Sequence, residues 1–208
     1  MILELMQSRR SIRKFRPEIP DRAMIDRLIA AAVTAPSASN KQPWRFVMVT
    51  NAGIKTRMAQ SVRAAVERAA GCIEPHFESA FRAYGDYFTR FESAPVVIVP
   101  LFRPLKLLSQ MVRPGLSPGD LANIDCMEHR SGIVSASLAM ENILLMAHAS
   151  GLGGSGLTGP LIAMDDLREI LSVPHGWDIV ALIAVGYPDE EPPAPGRKAL
   201  GDVTRWIE

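Results

Sequence analysis

The octapeptide PVVIVPLF at Pro95–Phe102 carries no polar side chain. A strand of that composition offers neither side of its pleat to water, so it is expected to be buried on both faces. Around it the pattern is helical. Pro20 and Asp21 announce a helix with Asp21 as N-cap and Ile25, Leu28, Ile29 and Ala32 as its buried stripe, and it stops before Pro36. Arg45–Thr50 reads as a strand. Asn51 caps a second helix whose Ile54, Met58, Val62, Ala65 and Val66 share a face before Gly71 ends it. Phe77, Phe81, Tyr84, Phe88 and Phe91 recur at steps of four, three, four and three, a helical stripe expected in core or subunit contact.

Arg103–Asn123 is different in kind. Pro104, Pro114, Gly115, Pro118 and Gly119 surround a brief apolar piece, Leu105–Met111, so a mobile excursion with a turn or two of helix is expected, serving as lid, binding loop or plain insertion. A long helix should then run from Ser131 to Ser150 with Val134, Leu138, Leu145 and Ala149 inside, and Glu141 and Asn142 need partners if buried. Gly151–Pro160, GLGGSGLTGP, reads as a glycine-rich loop. Asp165–Leu171 is a short helix, Ile179–Gly186 an apolar strand and Tyr187–Gly196 a proline-rich extended arm. With no internal repeat or interdomain linker, residues 1–208 are expected to form one domain.

A net charge of +1 over 208 residues argues against a general nucleic-acid binder, which would carry a basic excess. Glu4, Arg9 and Arg10 interrupt any hydrophobic start, and the cysteines are only Cys72 and Cys126. A reducing, cytoplasmic setting is the simplest expectation. Ile133–Ala147 is the most apolar helical run and falls short of the roughly 20 residues that span a bilayer, so no membrane role is expected.

Three stretches look built for a ligand. Pro36–Phe46, PSASNKQPWRF, is rich in hydroxyls, amides and prolines and runs into Trp44, which is expected in the core. That is the profile of a loop held rigidly to face something. A short helix over Ile2–Ser8 delivers RRSIRKF, whose Arg9, Arg10, Arg13 and Lys14 repel one another unless water or an anion lies among them. In the glycine loop, Gly151, Gly153 and Gly156 satisfy GxGxxG, but the dinucleotide fingerprint needs a strand before it and here a long helix precedes it. Bare glycines still let a flat ligand approach the backbone. Ser137, Ser155 and the histidines His76, His129, His148 and His175 show no hydrolase spacing, and Cys126 with His129 is no zinc site. The chemistry is therefore expected to reside in a bound cofactor.

Taken together, RRSIRKF, APSASNKQPWRF at Ala35–Phe46, GLGGSGLTGP and Arg197 beyond a GYP-led arm resemble the nitroreductase family of FMN-dependent oxidoreductases. The resemblance is in family order and covers both ends of the chain, while Gly71–Asp125 matches weakly. It implies an α+β fold, a central mixed, mainly antiparallel sheet flanked by helices in an intertwined homodimer, with a variable excursion at 103–123 and a C-terminal arm at 187–208. It implies that Arg9 and Arg197 hold the flavin phosphate, supported by Arg10 and Ser11, with Lys198 the alternative to Arg197. Arg13 would lie beneath flavin N1 and the C2 carbonyl, favouring the reduced anion. Gly156, Leu157, Thr158 and Gly159 would place a backbone amide near N5. Many relatives carry an acidic or larger polar group where Thr158 stands. Pro36, Ser37, Ala38 and Ser39 would cover the flavin of the partner subunit, and Asn40 and Gln42 would contact flavin or brace the loop.

The expected activity is transfer of hydride from NADH or NADPH through FMN N5 to a small-molecule acceptor of nitroaromatic or quinone type, by a ping-pong mechanism with no side-chain nucleophile and no metal. The alternatives are a specialised flavoenzyme of the same fold, performing dehydrogenation, dehalogenation or oxygen-dependent chemistry, and a non-catalytic flavin sensor.

Overall fold

The computed structural model describes residues 1–112 and 114–208. Its centre is β2, Val96–Phe102, buried along its whole length. The pleat sends Val97, Val99 and Leu101 into one core and Val96, Ile98 and Phe102 into another. The first core is closed by Met58, Ala59 and Val62 of α3 (Ala52–Ala70) and by Leu167 of α6 (Met164–Ile170). The second is closed by Leu28 and Ala32 of α2 (Arg22–Ala32) and by Ala136, Ala139 and Ile143 of α5 (Pro118–Ala149). Full burial of a side chain such as Leu28 or Ile98 stabilises by about 1.5–3 kcal/mol, and the strand collects that gain on both sides.

The five strands of the sheet pair antiparallel. β1 (Trp44–Val49) pairs with β2, β2 with β5 (Leu182–Gly186), and β5 with β3 (Gly153–Leu157), giving the order β1-β2-β5-β3, with β4 (Asp178–Ile179) also on β2. Ile179–Gly186 is thus two strands rather than one. The break falls opposite Pro100, which has no N–H to donate and whose carbonyl accepts from Val180 at 2.9 Å. A proline inside a sheet is tolerated where no ladder partner waits for it.

The caps behave as the sequence indicates. Asp21 accepts from the Met24 N–H at 2.7 Å and Asn51 from the Ile54 N–H at 3.0 Å. Trp44 is buried in the second core.

Several further expectations are corrected. GLGGSGL is not a loop: Gly153–Leu157 forms β3, because the glycines admit close neighbours, and a Cβ on Gly153 would lie 2.6 Å from Ile12. The long helix starts at Pro118, capped by the Ser117 hydroxyl, so the excursion after β2 ends well before Asn123. That helix is long and apolar enough to cross a membrane by length and composition, which removes the argument from shortness. Its packed stripe is Gly132, Ser135, Ala136, Ala139, Ile143 and Ala147, whereas Val134 and Leu138 are 57% and 43% exposed and Ala149 is exposed. Small residues let the helix sit close to its neighbours, and a Cβ on Gly132 would collide with the Arg103 carbonyl. Finally, the aromatic stripe divides. α4 (Pro75–Gly85) ends where Gly85 presses on Val66, and a 3-10 turn follows. Phe91 is wholly buried while Phe77 and Tyr84 are exposed.

Candidate functional site

After α1 (Ile2–Ser8), the chain from Arg9 runs extended along the outer edge of β3. Ser11 makes a parallel bridge with Gly154, and the Ile12 N–H donates to the Gly154 carbonyl at 3.1 Å. Further on, Arg16 N–H donates to Tyr187 and Asp189 N–H to Lys14, at 2.9 and 3.0 Å. The basic turn is therefore an added strand clasped between β3 and the C-terminal arm.

Ser8, Arg9, Arg10, His148 and Gly151–Gly154 line a cleft of about 610 Å³ whose far wall is Pro188 and Glu190–Ala194. Arg9 and Arg10 supply its cations, and Glu190 and Glu191 its carboxylates. Arg10 is tied back to the carbonyls of Gln7 and Arg9, at 2.6 and 3.0 Å. Arg9 makes no ion pair among the described residues. The His148 ring lies 2.8 Å from the Ser8 hydroxyl, and burial, followed by the charges of Arg9 and Arg10, pushes its pKa down. Glu190 accepts from the N–H groups of Arg13 and Lys14, at 2.5 and 3.1 Å, and so fixes the backbone from which Arg13 projects.

Two residues along β3 from Gly154, about 7 Å at strand rise, lies exposed Gly156. In a strand both backbone groups of one residue point the same way and alternate along the chain. Since the Gly154 carbonyl faces outward to Ile12, the Gly156 N–H and carbonyl also face outward. Thr158 is exposed, and Gly159 is pressed against the Phe88 ring. Guanidinium at one end and a bare, flat backbone edge at the other fit an FMN, with its phosphate dianion and planar ring.

The Pro36–Gln42 loop lies elsewhere on the chain. Ser39, Asn40 and Gln42 all have left-handed backbone, with φ of 49, 51 and 47°. Conformations of this kind cost about 1–3 kcal/mol each unless the surroundings impose them. Here the Ser37 hydroxyl accepts from Gln42 N–H at 3.0 Å, the Gln42 amide donates to Asn40 at 3.3 Å, and the hydroxyl of buried Ser135 accepts from Ala38 N–H at 3.3 Å. Asn40 and Gln42 thus brace the loop in the single chain. Pro36, Ser37 and Ala38 line a second cavity of about 600 Å³ with Cys126, Met127, Arg130, Val134 and Leu138 of α5.

The site residues read from the sequence therefore form two groups. Arg9 and Arg10 line the first cavity, with Ser11 and Arg13 on the same extended segment and Gly156–Gly159 along the adjoining strand end. Pro36–Ala38 line the second, whose walls share no residue with the first. Arg197 and Lys198 are exposed, and the arm's contribution to the first cleft ends at Ala194. Sequence reasoning missed Ser135, Glu190, His148 and Phe88, which reach these places only through tertiary contact. His129 lies edge-on to Phe102, centroids 5.2 Å apart, as a packing residue.

The nitroreductase family model matches residues 6–187. An NADH dehydrogenase of Thermus thermophilus is 31% identical over 95% of this chain and 92% of its own length. A 5,6-dimethylbenzimidazole synthase of Rhodospirillum rubrum is 28% identical over 95% and 86%. Among solved structures, a BluB-like flavoprotein from Clostridium difficile 630 superposes with TM-score 0.86 at 21% identity, covering 100% of this chain and 99% of its own. A nitroreductase with bound FMN from Desulfitobacterium hafniense superposes with TM-score 0.75 at 20% identity, covering 100% and 98%. At these identities the structures establish a shared fold.

Proposed function

The chain belongs to the nitroreductase family, and from that premise we propose an FMN-dependent oxidoreductase that passes hydride from NADH or NADPH to a nitroaromatic or quinone-like acceptor. The observation that carries the reading is the run of Arg9 and Arg13 beside a glycine strand whose Gly156 backbone faces outward. FMN, when bound, supplies the hydride-accepting N5.

The chain's own groups hold and orient it. Arg9 pairs with the phosphate, with Arg197 or Lys198 reaching in from the arm. Arg13, its backbone clamped by Glu190, would supply a fixed cation for the negative charge that collects on the ring on reduction. The backbone of Gly156–Gly159, with Phe88 against Gly159, would line the hydride-accepting edge of the ring. The Pro36–Ser39 loop covers a flavin held by a second copy of the chain, so the active unit is a twofold homodimer. Exposed Val134 and Leu138 beside that loop, and exposed Leu200, Trp206 and Ile207 at the end of the arm, supply apolar surface for that contact.

The test is an absorbance spectrum of the purified protein followed by anaerobic addition of NADPH. Flavin bands that bleach support the proposal, and a colourless protein that takes up no FMN refutes it. The dimethylbenzimidazole synthase relative favours a second reading, a specialised flavoenzyme with the excursion over one substrate. Bound FMN that NADPH and NADH bleach only very slowly would select it.

A further inference from the structure

A third cavity, of about 310 Å³, opens where the chain leaving β2 passes the Pro36–Gln42 loop, and Lys41, Arg103, Lys106 and Gln110 line it while no carboxylate does. Among the described residues none of its three cations makes an ion pair. The Arg103 guanidinium lies 5.3 Å from the centre of the Trp177 ring, and Arg45 lies over the same ring at 4.4 Å. The adjacent Asp178 is engaged by Arg168 at 3.0 Å and pairs with neither Arg103 nor Arg45.

The wall is fixed in place. Glu128, 2% exposed, accepts from the N–H groups of Leu107, Leu108 and Ser109 at 2.6, 2.7 and 3.1 Å and from the Ser109 hydroxyl at 2.6 Å. Leu105 N–H donates to the Glu128 carbonyl at 3.2 Å. Lys106 is thereby held between pinned neighbours, and it also borders an adjoining cavity that Asp125 lines. On the other side Lys41 follows left-handed Asn40, its N–H bonded to Ala38 at 3.0 Å. The cavity thus sits at one end of the loop whose other end lines the flavin-covering surface.

We infer that this cavity receives an oxyanion, phosphate or carboxylate, carried by one of the enzyme's substrates, so that anionic substrates are selected over neutral ones. The inference rests on the FMN-oxidoreductase reading. Lys41, Arg103 and Lys106 are exposed, and a concave cluster of like charges favours ligands of the opposite sign over neutral ones.

Inorganic pyrophosphate, titrated calorimetrically at low salt, should bind the purified protein, and Lys41→Met, Arg103→Met and Lys106→Met should each weaken it about tenfold. No binding, or equal affinity in all four proteins, overturns the site. Turnover identifies the source of the anion. A fall in kcat/KM for NADPH relative to NADH in the variants assigns it to the donor, and a fall for 4-nitrobenzoate relative to nitrobenzene assigns it to the acceptor. Both ratios unchanged overturn the substrate assignment. A preparation that takes up no FMN refutes the functional reading, while the pyrophosphate titration still decides the cavity.

Discussion

The two halves of the candidate site are held by different physics. The cationic half, Arg9–Lys14 with Gly153–Gly159, is an extension of the sheet: backbone bonds clasp it on both sides and Ile12 packs onto a glycine. The half proposed to cover the flavin, Pro36–Gln42, has three left-handed residues held by a few side-chain hydrogen bonds. The first is rigid because the fold is rigid. The second keeps a strained shape only while Ser37, Ser135 and the Asn40–Gln42 pair stay in place, so it is the half that single polar substitutions should disturb.

The largest expected effect tests the cationic half. Arg9→Ala should weaken FMN binding about a hundredfold, the scale of a lost charge-assisted contact to a dianion, read by fluorescence titration. A change under about threefold would place the phosphate elsewhere. Ser135→Ala comes next, since it removes the acceptor that ties the Ala38 N–H to α5 and loosens the loop. It should weaken FMN by roughly five- to tenfold with little change in melting temperature, and unchanged affinity would show that the loop needs no brace.

Lys55→Met separates stability from site. The Lys55 ammonium, its pKa lowered by burial, donates to the carbonyls of Ala94 and Pro95. Its loss should cost about 1–3 kcal/mol in denaturant unfolding and leave FMN affinity unaltered, and a shift in affinity would tie the first core to the site. The smallest effect is on the excursion. Burial pushes the Glu128 carboxyl up, but hydrogen bonds from Ser109, Leu107 and Leu108 outweigh it and hold its pKa below the ordinary value. The clamp is therefore complete above the ordinary carboxylate range and is lost as pH falls through that lowered value. Hydrogen-exchange protection of the Leu107–Ser109 amides should drop only in that acid range, and in Glu128→Gln it should be weaker already at neutral pH.

Much of this was legible in residues whose local role and tertiary role agree. Pro95–Phe102 is apolar and is buried on both faces, and Asp21 and Asn51 look like caps and cap. Pro36–Gln42 announced a braced loop and is one. What was not legible is where closeness, rather than hydrophobicity, decides. In α5 the packed stripe is Gly132, Ser135, Ala136 and Ala139, because the helix lies near its neighbours, and the larger Val134 and Leu138 are left outside. The same reason turns GLGGSGL into a strand. Glu190 and Glu128 gave no signal at all, since each acts on backbone N–H groups brought to it by the fold from 177 and about 20 positions away.

The proposed sharing gives one flavin the cationic half of one chain and the covering loop of another. It is tested by pairing two defective chains, one carrying Arg9→Ala and one carrying Ser39→Pro, the latter incompatible with the left-handed φ of 49° at that position. Each variant alone should retain almost no FMN. Co-expressed and purified as the mixed dimer, they assemble one unaltered site and one doubly altered site, and flavin occupancy should rise to about half that of the unmodified dimer. A mixed dimer as empty as either parent, or a Ser39→Pro protein that keeps its full flavin, would contradict a site shared between chains.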